Sequence, residues 1–164
     1  MKRLTFLLLL AFCFSLSAEA QIEGHLSKMK WLQGSWVGMA GNAPFNEGWR
    51  FLNDSTLVNF AIEINGTDTL IRESGVLMMR NKEITLRNGK VQWKGTRLTG
   101  NELVLKNDSL PYSNTIIWLC TRDDHWFTIL EHPKSTVYYD IVRDPLLDQK
   151  LETYLSQRQK NKAD

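Results

Sequence analysis

The sequence predicts an all-β protein: a closed up-and-down antiparallel β-barrel of about ten strands, with a short N-terminal helical turn and a C-terminal α-helix. Three observations carry that expectation. Between Trp36 and Val142 short alternating or apolar runs are separated by turn signals. Asn65-Gly66 and Asn88-Gly89 supply tight hairpins, because both residue types tolerate positive φ. No helical pattern falls between the strands to make a crossover. A meander of this length leaves two exposed edges unless it closes, and closure removes the hazard of unpaired edges.

The elements follow in order. A helical lead-in is expected at about residues 25–32. Strands are expected near 34–40, 45–52, 55–64, 68–79, 83–87, 90–98, 102–106, 114–121, 125–131 and 136–142. In the third, Thr56, Val58, Phe60, Ile62 and Ile64 share one face, while Asn59 and Glu63 point the other way. The segment "PYSNT" at 111–115 is the one longer break. After the strands Asp144 is suited to cap a helix and Pro145 to begin it. Leu147, Leu151, Tyr154 and Leu155 then form one apolar stripe, so a helix over about 145–160 is expected to pack on the outside of the barrel.

Ahead of the barrel, Lys2-Arg3, an apolar run from Leu4 to Leu16 and the small-residue site Ala18-Glu19-Ala20 have the form of a secretory signal cleaved before Gln21. That run is too short for a helix crossing roughly 30 Å of hydrocarbon. The expectation is a signal peptide over 1–20 and a single domain over 21–164, periplasmic or secreted, with no membrane span. Losing Lys2, Arg3 and Glu19 lowers the formal net charge of +2 by one, a balance that points to neither nucleic acid nor an anionic surface as partner. Of the two cysteines only Cys120 would remain, in "TIIWLCT", where it reads as a small buried hydrophobe.

Gly34-Ser35-Trp36 at the head of the first strand, the lead-in, the meander and the trailing helix resemble the calycin superfamily, the lipocalin and fatty-acid-binding type of barrel. The resemblance implies that Trp36, beside Gly34, closes the narrow end under an arginine from the last strand, here Arg143. "WLQGSW", Glu47-Gly48-Trp49, "ILEHP" at 129–133 and "VYYDIVR" are also similar, over about 29–143, to an uncharacterised bacterial family of secreted lipocalin-like domains. The chain departs from that pattern where "HPKST" stands in place of a His-Asp-Phe-Pro segment. "WLQGSWVG" with "RESGV" at 72–76 is similar to the haem-binding nitrobindin-like barrel, for which His132 is the candidate proximal ligand.

Candidate chemistry centres on carboxylates and aromatics. Alternation places Glu47 on the face of Trp49 and Phe51, Glu73 on that of Ile71, Leu77 and Met79, and Arg97 on that of Val91 and Trp93. If these faces line the lumen, the two acids sit among apolar walls that raise their pKa values. His125 and His132 are an odd number of positions apart and face opposite sides, so no metal site is expected, and no nucleophile elbow or phosphate loop is present. The six tryptophans serve either as core or as cavity wall. The favoured function is binding of a small hydrophobic or amphipathic ligand against Trp49, Trp93 and Trp118, its polar end oriented by Glu47, Glu73, Arg97 or Tyr139, with no cofactor. A haem or gas-binding barrel, an enzyme using the two glutamates and an envelope interaction module with a filled core stay open.

Overall fold

The computed structural model describes residues 25–111 and 114–163; the expected signal over 1–20 lies outside them. A 3₁₀ helix (Leu26–Leu32) leads into β1 (Gly34–Ala40), β2 (Ala43–Asn53), β3 (Thr56–Asn65), β4 (Asp68–Arg80) and β5 (Glu83–Asn88). There follow β6 (Val91–Leu98), β7 (Glu102–Lys106), β8 (Thr115–Arg122), β9 (His125–Glu131), β10 (Thr136–Arg143) and the helix α1 (Pro145–Ala163). Every strand pairs with its sequence neighbours and β1 pairs with β10, closing an antiparallel barrel with no crossover. This is the all-β architecture that the meander predicts. Hairpin signals act locally, which is why strand ends are set so closely by sequence.

The 3₁₀ helix plugs one end. Leu26, Met29 and Leu32 are fully buried there with Trp36, Leu57, Leu77, Ile84, Leu98 and Leu103 in one cluster, a largely aliphatic floor. Trp36 donates its indole N–H to the Leu32 carbonyl at 2.8 Å, which ties plug to strand. The Arg143 guanidinium lies 5.5 Å from the centroid of the Trp36 ring and donates to the Gln33 carbonyl at 3.1 Å. Gly34 makes this approach possible: its φ is +151°, and a Cβ there would meet the Arg143 guanidinium at 2.8 Å.

α1 covers the outer wall of the first strands. Asp144 caps it, its carboxylate accepting from the backbone N–H groups of Leu146 and Leu147 at 2.8 and 3.2 Å. Leu147 and Leu151 are buried with Phe60, Ile62 and Ile71, and Tyr154 and Leu155 pack against them. The apolar face of β3 is therefore covered from outside. At Gly48 the missing side chain admits Leu151, whose Cδ2 would lie 2.3 Å from a Cβ. Arg50 fastens the same face to Asp148 at 3.0 Å and Glu152 at 2.6 Å.

The described strands carry four register shifts. Those near the ends of β2, between Phe51 and Asn53, and of β8, between Cys120 and Arg122, lie away from the predicted site residues, and the other two alter which of those face inward. In β4, Asn59 pairs with Gly75 and Phe60 with Glu73, which leaves Ser74 as an extra residue. In β6, Gly95 pairs with Leu105 and Arg97 with Val104, which leaves Thr96 extra. Each extra residue reverses the alternation beyond it.

Candidate functional site

Above the floor the lumen is not filled. A cavity of about 370 Å³ reaches toward the end opposite the plug, where Ala40, Asn88 and Leu130 stand beside hairpins. Its wall is aromatic, with Phe45, Trp49, Trp93, Trp118, Trp126 and Tyr139 among the lining residues. The indoles continue one another edge to face: Trp49 to Trp118 at 5.3 Å, Trp118 to Trp126 at 5.7 Å, and Trp126 to Trp36 of the floor at 6.1 Å.

Glu47 stands on this wall, placed by the uninterrupted alternation of β2 between Phe45 and Trp49. Its Oε2 accepts from the Asn59 side-chain amide at 3.2 Å. The Oδ1 of Asn59 in turn accepts a hydrogen bond from the hydroxyl of Ser74, the extra residue of the β4 bulge. The same amide nitrogen reaches the Gly48 carbonyl at 3.5 Å, a group that only accepts, so the N–H side of Asn59 faces the carboxyl. Burial pushes the Glu47 carboxyl above the usual carboxylate range, against the pull of the Trp49 indole and the Asn59 amide, which favour the charged form. The residue is half-buried because it borders the cavity, and Trp49 Nε1 beside it does not complete a hydrogen bond of normal geometry.

Two of the sequence-predicted residues are elsewhere. Glu73 shares a face with Ile71 but not with Leu77, because Ser74 reverses the strand between them. It lies outside the barrel, paired with Arg158 of α1. Arg97 is separated from the face of Trp93 by the Thr96 bulge and points outward to Glu102 at 2.8 Å. Both bulges carry a sequence mark, a strand-interior glycine: Gly75 follows Ser74 and Gly95 precedes Thr96. The structure thus brings together Glu47, Trp49, Trp93, Trp118 and Tyr139, and adds Asn59, which the sequence pattern set opposite the apolar stripe of β3.

The remaining chemistry-bearing groups are off the lumen. His125 points outward, since Trp126 and Thr128 take the inward positions of β9, and contacts Asp140 at 2.6 Å and the Thr121 hydroxyl. His132 lies in the β9–β10 hairpin and is not a lining residue, so the haem expectation finds no imidazole on the cavity wall. Cys120 is half-buried, and burial, followed by the charge of Asp123, pushes its thiol up, away from the thiolate form. Among the described residues no three His, Cys, Asp or Glu side chains are placed to hold a metal, and no helix is long and apolar enough to cross a membrane.

Compared with protein-family models, with curated proteins and with solved structures, the chain matches none. The closed ten-stranded antiparallel barrel is consistent with the calycin superfamily fold. Its buried aromatic interior is consistent with a small-molecule-binding barrel of that kind.

Proposed function

We propose that the protein binds one small, largely apolar ligand in the upper lumen, and that it does so in the periplasm or outside the cell, given the signal-like residues 1–20. The cavity carries this reading. At about 370 Å³ it lies within the ~300–1,000 Å³ typical of small-molecule sites, and its wall of aromatic rings with a few placed polar groups has their usual composition. It favours a compact ligand over a long flexible one. A paired-carboxylate mechanism is not supported by the geometry, since Glu47 and Glu73 lie on opposite sides of the barrel wall.

The test is titration of intrinsic tryptophan emission with a small neutral aromatic probe such as 2-phenylethanol. Saturable quenching with one site per chain is expected, lost in Thr128→Phe, which fills the lumen. Absence of any saturable response would overturn the reading in favour of a filled-core module.

A further inference from the structure

The lumen's charge is one-sided. Among its lining residues Glu47 is the single charged side chain, and neither lysine, arginine nor histidine accompanies it. A buried carboxyl without a cationic partner has two ways to avoid a desolvated charge: it stays protonated, or it meets a cation that arrives from outside.

The groups around Glu47 favour the second. Asn59 presents an N–H to Oε2, oriented by the Gly48 carbonyl and braced by the Ser74 hydroxyl, and donors aimed at a carboxyl stabilise its charged form. The cavity that this carboxyl borders is also walled by the rings of Trp49, Trp118 and Tyr139, and aromatic faces attract cations. An anionic ligand would find no positive group on this wall.

We propose that the ligand is a compact organic amine in its ammonium form, carried on an aromatic or alicyclic body, with Glu47 as its counter-ion. This names the ligand class for the binding reading above and rests on it. In the empty lumen burial favours the protonated carboxyl; the arriving ammonium group replaces that proton as the partner of the oxygen. Tyr139 is the other titratable side chain on the wall. Ser74 is a positioning residue, acting through Asn59.

Isothermal titration of the purified protein at pH 7 with three probes of one shape separates the possibilities: 2-phenylethylamine, 2-phenylethanol and 3-phenylpropionate. The amine is expected to bind at least tenfold more tightly than the alcohol, and the propionate more weakly than either. Glu47→Gln should erase the preference for the amine over the alcohol, with a cooperative urea transition showing that the variant is folded. Ser74→Ala should reduce the preference severalfold without abolishing alcohol binding. Amine affinity should fall as pH is lowered in the wild type and not in Glu47→Gln. If the alcohol binds and the amine is no tighter, or its preference survives in Glu47→Gln, the amine inference is wrong and the lumen reading stands. If none of the three binds, both are wrong.

Discussion

The two ends of the barrel interior treat tryptophan differently. At the floor, Trp36 is fully buried among leucines, donates its N–H to Leu32 and lies under Arg143. In the upper half Trp49, Trp93 and Trp126 border a cavity, and their buried indole nitrogens complete no hydrogen bond of normal geometry. Trp31 of the plug helix is in the same state, so the ends differ in packing: fully buried aliphatic side chains close the floor, while the upper half opens on a cavity. A chain that packs one end so completely has the means to pack the other. Its failure to do so marks the upper lumen as the place where function sets the residues.

Substitutions at the two ends should therefore separate stability from binding. The largest effect is expected for Trp36→Ala, which removes the floor's central ring and should lower unfolding free energy by about 3–5 kcal/mol, read from the urea midpoint. Arg143→Ala should cost about 0.5–2 kcal/mol, the value of a guanidinium over an indole, and leave ligand affinity unchanged. In the upper half the sign reverses. Thr128→Phe, filling the cavity, should raise stability by about 0.5–2 kcal/mol while abolishing uptake of 2-phenylethanol.

The smallest effect concerns pH. Since burial raises the Glu47 carboxyl in the folded protein, the unfolded chain releases that proton first, and stability contributed by the neutral acid is present below the ordinary carboxylate pKa and lost as pH rises through the raised one. Subtracting a Glu47→Gln urea series from the wild type should isolate that downward slope. A wild-type curve that instead rises relative to the variant over this window would mean that Glu47 is charged in the empty barrel.

How far the sequence reaches follows the same division. Hairpin chemistry at Asn65-Gly66 and Asn88-Gly89, the Asp144-Pro145 cap and the stripe of Leu147 and Leu151 are short-range signals, and the elements they predict are present. Facing is legible only where alternation runs unbroken, as in β2 up to Phe51, which puts Glu47 and Trp49 on the lumen. Across a bulge it is lost, because one added residue exchanges inside for outside; Glu73 and Arg97 were displaced by Ser74 and Thr96 in that way. The role of Asn59 was hidden for a different reason. It depends on α1 covering the apolar face of β3 from outside, a tertiary event that turns the polar face of that strand inward.

The upper lumen as a ligand site is tested most directly by native mass spectrometry of the protein purified from its own cells without detergent or organic solvent. The expected result is a population one compact ligand heavier than the chain, the extra mass released on denaturation and missing from Thr128→Phe. A bare chain mass, together with no uptake of 2-phenylethylamine or 2-phenylethanol by that same preparation, would contradict it.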